Sequence, residues 1–148
     1  MRHLSSILLT ITLALSACGH GPEPGQNELR FHMSFDNQLN NDLDLHVIDP
    51  SGNHLTAKLT PEGTTSENGT DCGCGDCMAG PEENIFWLDN QAGTGLYEIW
   101  VQKYAGCDES VMGSNFTLSI YEGHRLKASL KGELYRGQSQ PLYYEFVR

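Results

Sequence analysis

From Leu29 onward the apolar residues of this chain recur mostly at every second position, and no window keeps a helical period for three turns. A two-residue period is what a strand with one buried and one polar face requires, so β structure is expected throughout the body. The segment 29–35 places Leu29, Phe31, Met33 and Phe35 on one face, and 42–48 does the same with Leu43, Leu45 and Val47. Asp49-Pro50-Ser51-Gly52 reads as a turn, because Pro presets its own φ and Gly accepts positive φ; 54–60 is expected to return as the hairpin partner. Segments 84–89, 95–105, 115–123, 125–135 and 141–147 bring the count to about eight strands. Short strands with frequent turns predict an all-β domain over 29–148, an antiparallel β-sandwich or jelly-roll-like body. Trp87, Tyr97, Trp100, Tyr104, Phe116, Tyr143 and Tyr144 fall on these strands and are expected to fill its core, with any exposed subset suited to stacking on sugar or peptide.

Ahead of this body, Arg2 precedes an apolar run from Leu4 to Leu15 that ends in small residues, the pattern of a secretory signal too short to remain as a spanning helix. Leu15-Ser16-Ala17-Cys18 resembles a bacterial lipoprotein box, which implies removal of residues 1–17 and acylation of Cys18, leaving the chain held to a membrane by lipid. An ordinary signal cut would instead leave Cys18 as a fifth, odd thiol. Gly19 stands where aspartate would direct retention at an inner membrane, so an outer-membrane address in the cell envelope is expected. Residues 18–28 then serve as a flexible tether, since GHGPEPGQN carries no apolar period. The 148 residues less the signal leave one ordinary domain, with 8 Lys and Arg against 19 Asp and Glu once Arg2 is gone. Such an acidic balance argues against nucleic acid as a partner and against a broad electrostatic grip on anionic lipid.

Cys72, Cys74, Cys77 and Cys107 remain, in an oxidising compartment where two disulfides are the expected state. Bonding Cys72 to Cys74 is awkward over so short a span, so one of these two is expected to pair with Cys77 or Cys107. A bridge to Cys107 would pin the long polar stretch 61–83 to the end of the strand at 95–105, contributing about 3–4 kcal/mol in the chain-entropy model. A tetrathiolate zinc site could use the same four thiols, although the first three are crowded where structural zinc normally shows two cleaner pairs. Cys74-Gly75-Asp76-Cys77 has the spacing of a thiol-exchange centre but lacks its strand-to-helix setting.

The pleat that turns Leu43, Leu45 and Val47 inward forces Asp42, Asp44 and His46 onto the opposite face. One reading is a solvated outer face; another is a calcium site, with Asp42 and Asp44 supplying oxygens and Asp76 and Glu82 among the loop residues that complete the shell. No EF-hand spacing is present, so such a site would be assembled from distant segments. His46 alone reads as a hydrogen-bonded structural residue.

Asp42 to Gly52, an acidic strand running into an Asp-Pro-x-Gly turn, together with Gly80-Pro81-Glu82-Glu83-Asn84 and the strand Gly95-Leu96-Tyr97 with Phe116-Thr117-Leu118, resembles the YfaP-type domains of unknown function found in bacterial envelope and secreted proteins. The resemblance implies a sandwich fold and a noncatalytic role in the envelope. An extra glutamate departs from the Gly-Pro-Glu-Asn pattern, and the cysteines stand where that family has a glycine-rich, Asp-containing stretch. The sequence thus points to a lipid-anchored, noncatalytic binding or structural module with an envelope protein or glycan as partner and room for one calcium ion. The alternative is a metal-assisted hydrolase or a thiol-exchange enzyme of the envelope. Thiol titration of the denatured, non-reduced mature protein separates the cysteine readings: no free thiol is expected with both bridges formed, and two to four with catalytic or zinc-bound cysteines.

Overall fold

A computed structural model of the chain describes residues 27–36, 41–56, 64–68, 82–104 and 113–148. Residues 1–26 with Cys18, together with Asp76 and with Cys72, Cys74, Cys77 and Cys107, lie outside the described residues. The described chain forms β1 (Asn27–Phe35), β2 (Asp42–Ile48), β3 (His54–Leu55), β4 (Thr64–Asn68), β5 (Glu82–Leu88), β6 (Gly95–Tyr104), β7 (Ser114–Glu122), β8 (Arg125–Leu134) and β9 (Leu142–Phe146). Two antiparallel sheets result, one ordered β4-β5-β1-β7-β8 and the other β3-β2-β6-β9. They stack face to face as the expected sandwich.

The strand beyond the expected eight is β4, which falls in the stretch read from sequence as an irregular polar loop. Thr-Thr-Ser-Glu-Asn contains no apolar residue, so a hydrophobic period has nothing to register there. Its pairing is a backbone affair at a sheet edge, running antiparallel to β5 from Thr64 opposite Trp87 to Asn68 opposite Glu83. The hairpin arm expected over 54–60 is a strand at His54–Leu55, with residues 57–60 outside the described set.

Inward-facing residues of both sheets make one core. Leu29, Phe31 and Met33 of β1, Leu43, Leu45 and Val47 of β2, and Tyr97, Ile99 and Val101 of β6 are all sealed from solvent. At its centre Phe31 meets Trp87 edge-on, with centroids 5.7 Å apart, and Trp87 meets Tyr97 at 5.2 Å. Edge-to-face pairs of this kind contribute about 0.5–1.5 kcal/mol each beyond the area they bury. The Tyr97 hydroxyl, carried into the interior with its ring, donates to the Gly93 carbonyl at 2.8 Å, so its polar end is satisfied.

Two polar clamps close the ends. Arg148, beyond β9, holds Glu28 of β1 through Nε–Oε1 at 2.5 Å and Nη2–Oε2 at 2.9 Å, and the guanidinium keeps the Glu28 carboxyl below the usual carboxylate range. At the other end Asp36 accepts from the Asn115 N–H at 2.7 Å and from the Asn115 side-chain amide at 2.8 Å, fixing the start of β7.

Gly132 on the edge strand β8 sits opposite Phe116 in the register, and the Phe116 ring lies over it. A Cβ at position 132 would stand 2.5 Å from Phe116 Cζ, closer than any carbon pair tolerates. Gly132→Ala is therefore expected to lower stability by about 1–3 kcal/mol in urea denaturation, and adding Phe116→Leu should recover part of the loss.

Candidate functional site

The side chains that β2 turns away from the core share the outer face of the four-stranded sheet with those of β3 and β6. The turn between β2 and β3 forms as the sequence predicts. Gly52 N–H donates to the Asp49 carbonyl at 2.9 Å with φ at 84°, and the Asp49 carboxylate gathers the N–H groups of Ser51 and Asn53 at 2.9 and 2.8 Å. This Asx-type turn sets the hairpin register, Val47 opposite Leu55 and Ile48 opposite His54. Because Leu55 points inward, His54 points outward, diagonally across from His46. On the other side of β2, His46 stands opposite Trp100 of β6.

The three rings form a cluster. His46 Nδ1 and His54 Nε2 lie 2.9 Å apart in a hydrogen bond, and the two imidazole planes differ by only 22°. Trp100 lies nearly parallel to both, with centroids 5.0 Å from His46 and 5.2 Å from His54. Among the described residues the buried His46 Nε2 and Trp100 Nε1 have no hydrogen-bond partner. Burial, with His54 alongside, holds His46 down at about 4. The cluster is therefore neutral on the His46 side at ordinary pH, and one N–H shared between the rings joins them.

Asp42 and Asp44 sit on this same face, but Asp42 is buried and Asp44 half-buried, so the face is not the fully solvated one that alternation alone would give. Glu82 does not join them. It projects from the outer face of the five-stranded sheet, where its Oε2 lies 3.6 Å from His32 Nε2. Asp76, the other loop residue expected in a calcium shell, lies outside the described residues. Among the described residues no group of three or more His, Cys, Asp and Glu is arranged to hold a metal ion.

The glutamate that does reach β2 is Glu83. Val101, opposite Leu45, exchanges its backbone bonds with Ser139, so Leu45 turns its own N–H toward the far edge of β2, which the two-residue β3 does not reach. Glu83 Oε2 accepts that N–H at 2.6 Å from the inward face of β5. A buried carboxylate thereby satisfies a backbone N–H of β2 and ties the two sheets together.

Sequence reasoning placed Trp100 and Tyr143 in the core; both face outward, Tyr143 more than half exposed. Alternation held the signal, since Tyr97, Ile99 and Val101 inward require Trp100 outward, and Leu142, Tyr144 and Phe146 inward require Tyr143 outward. His54 was also legible in principle, as a histidine at even spacing from His46 across a defined turn. The role of Glu83 carried no sequence signal, because its partner is a backbone group. Comparison with protein-family models, with curated proteins and with solved structures finds no match to this chain.

Protonating His46 puts charge into a half-buried site, whereas the unfolded chain takes the proton near 6.5. Between these two values the unfolded state binds more protons, so stability falls as pH drops through that window and is fully present above it. Thermal melts from pH 7 to 4 should show a decline that His46→Phe flattens, the carboxylate contribution being common to both proteins.

Proposed function

We propose that the chain is a noncatalytic, lipid-anchored binding module of the cell envelope, held by acylated Cys18 and presenting the outer face of its four-stranded sheet to a glycan partner. The observation that carries the reading is the outward placement of Trp100 and Tyr143. Tyr143 stands opposite Glu98, two residues from Trp100 on the same face, so the two rings are diagonal neighbours across β6 and β9. Trp100 is immobilised from one side by the paired imidazoles, which removes the entropy cost of ordering it when a partner stacks against it. Flat aromatic faces with hydrogen-bonding neighbours suit the apolar faces and hydroxyl rims of sugars. Glu98, opposite Tyr143, supplies an acceptor at the edge of the platform.

The lipid anchor and the envelope address rest on the signal and the Leu15-Ser16-Ala17-Cys18 box, and the resemblance to YfaP-type domains points the same way. Calcium is not required by this reading.

Co-sedimentation with purified, insoluble cell-wall polysaccharide tests the platform. The mature protein should pellet, and Trp100→Ala with Tyr143→Ala should weaken pelleting about tenfold. Equal pelleting of the double variant, at unchanged thermal stability, would remove the aromatic face from the function.

A further inference from the structure

We propose that the end of the sandwich at which β1 begins rests on the bilayer that holds acylated Cys18, with Leu88, Leu96, Leu126 and Val147 seated among the lipid headgroups and upper acyl chains. The proposal rests on the lipid-anchored reading and goes beyond it, because an anchor alone leaves the body free to take any orientation.

Glu28 gathers this end. Its carbonyl accepts the Gly123 N–H from the turn between β7 and β8 at 3.1 Å, its Oε2 accepts the Ala92 N–H from the connection between β5 and β6 at 3.1 Å, and Arg148 beyond β9 binds the same carboxylate. The close of β5, the starts of β6 and β8 and the close of β9 therefore stand around the first residues of β1. Each brings one exposed aliphatic side chain at or beside its strand end, Leu88, Leu96, Leu126 and Val147 in turn. Among the described residues these are four of the seven large hydrophobic side chains left exposed. Single exposed aliphatics are ordinary, whereas a majority gathered at one end is a surface with an apolar neighbour to gain.

The sequence ahead of β1 identifies that neighbour. Asn27 comes nine residues after Cys18, and nine residues span at most about 30 Å, so the lipid enters at this end. The far end is held further off, since β8 alone carries the chain about 30 Å from Leu126 to Tyr135.

The charges here permit the contact. Arg148 is paired with Glu28, and Lys127 with Glu122 at 2.5 Å, so these ions reach the headgroups already matched. Asp89, Arg125 and Glu145 are exposed and keep their water at headgroup depth. Attachment then depends on apolar burial added to the acyl anchor, and not on lipid charge. Standing on this end, the sandwich turns Trp100 and Tyr143 to a side wall, clear of the bilayer and open to a glycan.

Acylated mature protein on phosphatidylcholine vesicles with brominated acyl chains tests the orientation. Leu126→Trp and Tyr135→Trp place a reporter at opposite ends of β8, at positions 51 and 53 % exposed, and the parent protein with Trp87 and Trp100 sets the baseline. Bromine should quench the added emission of Leu126→Trp several times more strongly than that of Tyr135→Trp. Adding Leu88→Ser, Leu96→Ser and Val147→Ser to Leu126→Trp should remove most of that quench, while the melting temperature and retention on vesicles hold. Equal quenching at the two ends, or quenching that survives loss of the three aliphatics, would overturn the proposal and leave the anchored reading intact. Protein that carries no acyl group on Cys18 and stays in the supernatant would overturn both together.

Discussion

The pleat of β2 is the constraint on which the remainder of the molecule depends. Leu43, Leu45 and Val47 each lose all contact with water against the facing sheet, and a shift of one residue would exchange that row for Asp42, Asp44 and His46. Burying two carboxylates and an imidazole in place of three aliphatic chains has a prohibitive cost, so the register is fixed by the difference. Once it is fixed, the outer face is fixed with it. His46 must lie opposite Trp100, and a turn beginning at Asp49 must bring His54 beside them. The chemistry on the outside is a corollary of the packing on the inside.

The same constraint explains how polar groups come to sit within the sandwich. β2 is partnered along its whole length by β6, but β3 covers only its last two residues. The Leu45 N–H lies beyond the pairing with β3, and Glu83 accepts it from the opposite layer. Glu28 with Arg148 and Asp36 with Asn115 perform related work at the two ends. In each case an ionised or amide side chain binds groups far away in sequence, so these contacts stabilise the closed topology and contribute little to any single hairpin.

Much of this was legible in the residues. The strands with strict alternation, β1, β2, β6 and β7, announced both their span and their buried face, and Asp49-Pro50-Ser51-Gly52 announced its turn. What escaped has physical reasons. β4 is built from Thr, Ser, Glu and Asn and is formed by backbone pairing with β5, so apolar periodicity could not reveal it. Aromatic residues were assigned inward by type, while Trp100 and Tyr143 obey the pleat and face outward. Two adjacent glutamates, Glu82 and Glu83, differ in role only because alternation sends one to each side of β5. The acidic set expected around Asp42 and Asp44 took in Glu82, which β5 turns toward His32, and Asp76, which lies outside the described residues.

β1 occupies the middle of the five-stranded sheet, bonded to β5 on one flank and β7 on the other from Leu29 onward. A mechanical load applied at residue 27 therefore enters along the strand with antiparallel neighbours on both sides, and it meets two ladders of hydrogen bonds in shear at once instead of opening one ladder bond by bond. The Glu28–Arg148 clamp at the point of entry couples that load across to the second sheet. Force entering at that end is thereby shared between two ladders and passed into the second sheet.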